Sequence, residues 1–133
     1  MNEVEVNQWR FLAGLDEDTA RLIREHSGHP EIGIYHLHQA AEKLLKELII
    51  SRGANIEKTH YLDAIHSTLL AEIPDLNAIT RDIVALDRYL PRLRYPHGSN
   101  IANADFISCF EYYERIKALL TGYLEPTPPR SEA

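Results

Sequence analysis

The side chains best suited to chemistry lie in one short, basic stretch of this acidic chain. Arg88, Arg92, Arg94 and His97 bring three guanidinium groups and one imidazole within ten residues. Arginine binds phosphate through a fork of N–H donors, and a histidine with a pKa near neutrality transfers protons. Arg92, Arg94 and His97 could therefore cleave RNA without a metal, with the ribose 2′-OH as the internal nucleophile.

The same stretch has a structural interpretation. Arg92 and Arg94 would then interact with the C-terminal carbonyls of a helix and pair with surface acids, while His97 would be a solvated turn residue. The spacing of these residues favours the structural interpretation over catalysis. It does not exclude catalysis, and both interpretations remain open.

A second polar set lies in the stretch 35–46. In a helix, Tyr35, Gln39, Glu42 and Lys46 follow one another at spacings of four, three and four, which stacks them along one side. This row, called the α2 stripe below, either contacts a ligand or is a packing contact in which Glu42 and Lys46 form an i, i+4 ion pair. Both interpretations remain open.

Composition excludes several classes of protein. A net charge of −6 and a pI near 5.6 argue against nucleic-acid binding by bulk charge, so such a role must rest on a local basic patch. No apolar window approaches the roughly 18 residues of a membrane span, and no signal peptide is expected. The single cysteine, Cys109, fits a reducing compartment, and we take the cytoplasm as the default.

Motifs for phosphate loops, dinucleotide folds and acyl-transfer triads are missing from the sequence. The seven histidines lack metal-ligand spacing, because His36 and His38 point in nearly opposite directions on a helix. His38 is interpreted as a hydrogen-bonded core residue. We therefore expect no metal and no cofactor.

The remaining pattern predicts an all-α protein in one domain, residues 1–124, followed by a disordered tail, 125–133. Helices are expected at 4–26, 31–51, 61–71, 75–90 and 104–123. Pro91 is expected to end the fourth, and 91–103 to form an irregular loop. Asp16 interrupts the apolar stripe of the first helix, so it is either a buried carboxylate with a partner or a helix N-cap.

Each helix is also expected to bury a particular face. The first helix is expected to bury Trp9, Leu12, Ala13, Ala20 and Ile23, and the second Ile34, Leu37, Ala41, Leu44, Leu45 and Leu48. For the last three helices the buried sets are Leu62, Ile65, Leu69 and Leu70; then Leu76, Ile79, Ile83, Leu86 and Leu90; and finally Phe106, Cys109, Phe110, Tyr113 and Leu120.

Three stretches together resemble the HEPN family. They are the segment 39–46, Gln-Ala-Ala-Glu-Lys-Leu-Leu-Lys; the segment 58–62, Lys-Thr-His-x-Leu; and Arg94-Tyr95-Pro96. The order of Trp9, Ala13, Asp16 and Ala20 is also similar to that family's first helix, which favours the buried carboxylate over the N-cap. The resemblance covers roughly residues 9–124.

This resemblance implies an up-and-down antiparallel bundle of four long helices plus one short helix. It also implies a homodimer with the fourth-helix region near its two-fold axis. Many family members are toxins paired with a nucleotidyltransferase-like (MNT) antitoxin. Active members are metal-independent ribonucleases marked by an arginine, four to six residues and a histidine.

Here Arg92 and His97 satisfy that formula with four residues between them. Leu93 departs from the polar residue that often follows the arginine, and Ser99 stands where one toxin group has a tyrosine. In the most similar branch the motif is Arg-Tyr-Pro and an acid, which would make Arg94 the equivalent arginine.

The resemblance therefore implies a catalytic set of Arg92, Arg94 and His97. A nucleotide-binding set comprises Gln39, Glu42, Lys43, Lys46 and Tyr95. The leading hypothesis is an RNA- or nucleotide-binding protein that acts as a metal-independent endoribonuclease. The alternative is a non-enzymatic dimeric module that binds a nucleotide or a protein.

Overall fold

Helices joined by turns and one longer connector make up the described regions of the chain. The computed structural model describes residues 3–56, 58–94 and 100–124. The α-helices are α1 (Glu3–Glu25), α2 (Pro30–Ser51), α3 (Leu62–Leu70), α4 (Thr80–Asp87), α5 (Tyr89–Arg94) and α6 (Asn103–Thr121), with a 3-10 helix at Pro74–Ile79 before α4. The all-α prediction is confirmed. The predicted tail, 125–133, lies outside the described residues, and the domain boundary at 124 stays a prediction.

A tight turn folds α1 back against α2, and the two helices pack along their length. Ser27 ends the first helix in the left-handed region, with φ 53°, and the Gly28 N–H donates to the Ile23 carbonyl at 2.8 Å. Pro30 begins α2, where a missing N–H costs nothing. Ser27, rather than the neighbouring Gly28, takes the left-handed conformation.

The second helix is the centre of the bundle. It packs against α1, α3, α5 and α6, and the apolar face predicted from its sequence is buried at every position. His38 is fully buried and its Nε2 lies 3.0 Å from Asp87 Oδ1, which confirms the prediction of a hydrogen-bonded core histidine. The resulting core leaves only one side of α2 open to solvent.

The segment 74–94 differs from its prediction. The expected buried positions all lie in the core, from Leu76 to Leu90. The expected single helix is divided into the 3-10 helix, α4 and α5, however, and Pro91 lies inside α5. As the third residue of a helix, Pro91 removes an N–H that has no partner within that helix, so it does not end the helix. The irregular loop was therefore predicted to begin too early.

The last helix closes the bundle. Its predicted face is buried in full, and α6 runs parallel to α2 because the first turns of both helices meet at Gly33 and Phe106. It runs antiparallel to α4 and α5, since Asp82 contacts Arg115 while Tyr89 contacts Asp105. This is the arrangement of an up-and-down bundle.

Gly33 is required for this close approach. A Cβ atom at this position would lie 2.1 Å from Cζ of the Phe106 ring, which is 1% exposed. We expect Gly33→Ala to lower the free energy of unfolding by about 1–3 kcal/mol despite the better helix propensity of alanine. Urea unfolding measures this change. Gly14→Ala is the matched control, because a Cβ atom at Gly14 meets nothing within 4 Å. Adding Phe106→Leu to the Gly33→Ala protein should recover part of the lost stability.

The buried face of α1 is narrower than predicted. Ala13 and Ala20 are buried as expected, and Trp9 and Ile23 are half-buried, but Leu12 is exposed. The small alanines let α1 approach α2 closely, which leaves the larger apolar side chains of α1 outside. No helix in the three described ranges is long and apolar enough to cross a membrane.

Candidate functional site

The two candidate arginines lie in the last turn of α5. The Arg92 guanidinium carbon is 4.7 Å from the centroid of the Tyr89 ring, one turn earlier. Arg94 is exposed. Tyr95 and His97, which complete the predicted site, lie outside the described residues. The helix therefore presents Arg94 to solvent at the point where the segment containing His97 begins.

Arg92 faces the beginning of α6. The Tyr89 hydroxyl donates to Asp105 Oδ1 at 2.6 Å, and this hydrogen bond, together with one from the Ala102 N–H, lowers the pKa of Asp105. The positive charge of Arg92 also acts on Asp105. Burial raises the pKa of the Cys109 thiol to about 12, so this cysteine is an inert core residue rather than a nucleophile.

The α2 stripe is only partly open to a ligand. Tyr35 is exposed and Gln39 half-buried, whereas Glu42 and Lys46 are buried. Lys46 donates to Glu42 at 3.0 Å, which confirms the i, i+4 ion pair, and its Nζ lies 5.6 Å from the Trp9 ring centroid. The charged end of the stripe is thus held in contact with α1.

His60, in the connector before α3, also contacts Glu42 of the α2 stripe. Its Nδ1 lies 3.2 Å from Glu42 Oε1, and the imidazole is more than half exposed. His60 belongs to the Lys-Thr-His segment on which the family resemblance partly rests. Its contact with Glu42 joins the connector before α3 to the α2 stripe, and it adds an exposed titratable group that sequence reasoning left out of the site.

Lys43 belongs to a different contact. It donates to Asp16 of α1, and His36 Nδ1 lies 2.8 Å from the same carboxylate. Asp16 is 8% exposed and lies in the middle of α1. The buried-carboxylate interpretation is therefore confirmed, and the N-cap interpretation is wrong. Lys43 neutralises Asp16 and holds α1 against α2.

The described contacts of the two candidate sets differ. Arg92 lies over the Tyr89 ring and its charge acts on Asp105, while Glu42 contacts Lys46 and His60. Exposed groups remain in both sets: Arg94 at the end of α5, Tyr35 within the α2 stripe, and His60 beside it. The nucleotide-binding role of Gln39, Glu42, Lys43, Lys46 and Tyr95 stays a prediction.

A groove of about 490 Å³ lies between α1, α2 and α6. Phe11, Leu15, Tyr113 and Lys117 are among the residues that line it, and none of the candidate residues that the structure describes does so. Tyr113 and Lys117 both donate to Glu17 Oε1, at 2.6 and 2.7 Å. Three of the polar groups that line this groove therefore satisfy one another.

Comparison with known proteins agrees with the fold and with the motifs. The HEPN domain profile matches residues 6–123, which is nearly the whole of the described region. No curated protein and no solved structure is significantly similar to the chain. The matched span includes all six α-helices except the outermost residues of α1. The chain therefore belongs to the HEPN domain family.

Proposed function

We propose that this protein binds RNA and cleaves it without a metal, at a site formed by Arg92, Arg94 and His97. Membership of the HEPN family supports a nucleotide- or RNA-related function in general. The observation that carries the more specific proposal is the position of both arginines in the last turn of α5, with Arg94 exposed and His97 three residues further along.

The proposed chemistry needs only these side chains. The ribose 2′-oxygen attacks the neighbouring phosphorus, and the bond from phosphorus to the 5′-oxygen of the next nucleotide breaks. The products are a 2′,3′-cyclic phosphate and a free 5′-hydroxyl. Arg92 or Arg94 stabilises the negative charge that develops on the phosphoryl oxygens, and His97 transfers a proton as general acid or base.

Two partners belong to this proposal. A second copy of the chain would bring its own arginines to a common cleft near the α4 and α5 region, which gives a homodimer. A nucleotidyltransferase-like antitoxin would then control the activity of the pair. HEPN domains commonly dimerise, which supports the first of these partners.

The decisive change is His97→Ala. We expect it to reduce RNA cleavage at least about a hundredfold, the lower end of a general acid–base contribution. The measurement is cleavage of a labelled RNA in EDTA by the wild type and the variant. His26→Ala, at an exposed position near the end of α1, is the matched control and should retain full activity.

A second pair of substitutions compares Arg94 with an exposed arginine outside the proposed site. Arg94→Ala should weaken both binding and cleavage, whereas Arg52→Ala, at an exposed position after the end of α2, should change neither. A wild-type protein without nuclease activity in EDTA would end the ribonuclease proposal, as would a His97→Ala protein that cleaves equally well.

A second candidate function is a non-enzymatic module that binds a nucleotide or a protein. The observation in its favour is Leu93, which packs against the hydrophobic core where active members often have a polar residue. Saturable binding of ATP or another nucleotide in calorimetry, without turnover, would support this candidate. In that case Gln39→Ala and Arg94→Ala should each weaken binding.

A further inference from the structure

The outer face of α1 carries an apolar row that the bundle does not cover. Half of the ten large apolar side chains that are exposed in the described residues lie on this helix. They are Val4, Phe11, Leu12, Leu15 and Leu22, with exposed fractions from 41% to 68%. A cluster of this kind on one helix marks an interaction surface rather than scattered surface residues.

The row has the spacing of a coiled-coil seam. Val4, Gln8, Phe11, Leu15, Asp18 and Leu22 follow one another at intervals of four, three, four, three and four residues, and all six are exposed. Alternating intervals of three and four are the a and d positions of a heptad, which face a partner helix. We call these six residues the α1 seam. Its length corresponds to a contact about 27 Å long at 1.5 Å per residue.

The α1 seam is complementary to itself when a second copy runs in the opposite direction. A two-fold axis beside residue 13 places Val4 opposite Leu22 of the other copy, and Phe11 opposite Leu15. The same register places Gln8 opposite Asp18. Apolar side chains then meet apolar ones along the seam, and the two polar positions meet each other.

The surface beside the seam fits such a partner. Val4, Asn7, Gln8 and Phe11 surround an open depression, and positions i, i+3, i+4 and i+7 are those that receive one side chain of a facing helix. In the antiparallel register Asp18 of the other copy faces this depression. The amide groups of Asn7 and Gln8 are donors for its carboxylate. A polar contact at a seam position fixes register and orientation.

Helix dipoles and local space agree with this orientation. Antiparallel helices bring opposite dipole ends together. Gly14 flanks the centre of the seam, where its open surroundings allow two helices to approach closely.

From these observations we propose that the α1 seam is an antiparallel contact between two copies of this chain. The contact is separate from the proposed dimer near α4 and α5, so it would join two chains or two such dimers. It does not depend on the proposed function, because association is measured without RNA.

The first test measures association of the full chain by sedimentation equilibrium. Phe11→Glu should raise the dissociation constant of the α1 contact at least about tenfold, as expected for an apolar residue near the centre of an interface. Ile107→Glu, at an exposed position on α6, is the matched control and should leave association unchanged. Because Phe11 is 63% exposed, thermal unfolding of a dilute sample should show that the variant remains folded.

The second test establishes orientation by disulfide formation. Val4→Cys protein mixed with Leu22→Cys protein should form a cross-linked dimer, because the register places these positions within disulfide distance. Val4→Cys alone should not, since the two copies of residue 4 would be about 27 Å apart along the axis. The native Cys109 is fully buried and does not interfere.

Two outcomes would overturn the proposal. One is an equal dissociation constant for the wild type and for Phe11→Glu, which would assign the seam to a different protein or to no partner. The other is cross-linking of Val4→Cys alone as efficiently as of the mixture, which would exclude the antiparallel register.

Discussion

Replacing Arg10 with methionine is expected to lower the free energy of unfolding by about 3–5 kcal/mol. The Arg10 guanidinium donates to both carboxylate oxygens of Glu47, at distances from 2.7 to 3.0 Å. The Glu47 side chain is 0% exposed, so its charge depends on Arg10 for compensation. The variant would leave a carboxylate buried beside apolar side chains. Urea unfolding at neutral pH measures the loss.

Two further variants show whether burial is the cause. Arg52→Met removes an arginine whose pair with Glu72 is 41% and 59% exposed, and should cost less than about 1 kcal/mol. The double variant Arg10→Met with Glu47→Leu removes both charges and should recover most of the stability. Equal losses for Arg10→Met and Arg52→Met would contradict the explanation.

The pH dependence of the Arg10→Met variant follows from Glu47. Burial raises the pKa of this carboxyl above its ordinary 4.5, although Arg10 opposes the shift. A raised folded-state pKa gives stability that is present below the ordinary value and lost as the pH rises through the folded value. Without Arg10 the pKa rises further. The difference in the free energy of unfolding between the wild type and Arg10→Met should therefore be smaller near about pH 5 than at neutral pH.

Asp87→Ala should destabilise the fold by about 3 kcal/mol or more, since each buried donor left unpaired costs about 1–3 kcal/mol. Asp87 Oδ1 accepts from His38 Nε2 and from the Leu62 N–H, both at 3.0 Å, and Oδ2 accepts from the Asp63 N–H at 3.3 Å. One carboxylate therefore joins α2, the start of α3 and the end of α4. Chemical unfolding of the variant measures the loss.

Acid titration distinguishes this carboxylate from a surface acid. Burial alone would raise the pKa of Asp87, but the hydrogen bonds from His38 and from two backbone N–H groups hold it below its ordinary 3.8. A lowered folded-state pKa gives stability that is present above the ordinary value and lost as the pH falls through the folded value. Asp87→Ala should therefore lose less stability on acidification than the wild type.

Asp75→Ala is the control for Asp87, because Asp75 has an exposed hydrogen bond of 3.3 Å from the Tyr123 hydroxyl. It should cost less than about 1 kcal/mol and keep the acid dependence of the wild type. If Asp87→Ala were as mild as Asp75→Ala, the three-way junction would contribute little to the fold.

Local sequence determined most of the secondary structure. Apolar residues spaced three and four apart predicted the buried face of α2 and the buried positions from Leu76 to Leu90. A helix that buries one face needs such a pattern. The pair of Glu42 and Lys46 was predictable for the same reason, because its two residues are one turn apart. The buried role of His38 followed from its place beside the apolar face. The motifs that identify the family are short and also lie within single segments.

Only the tertiary structure decided the contacts between distant parts of the chain. Arg10 and Glu47 are 37 residues apart, and Asp87 is 49 residues from His38, so no local pattern links them. Packing also decided that Pro91 lies inside a helix, that Asp16 has partners, and that the charge of Arg92 acts on Asp105 of α6. A side chain's neighbours depend on how whole helices pack, and the spacing of residues along one helix does not contain that information.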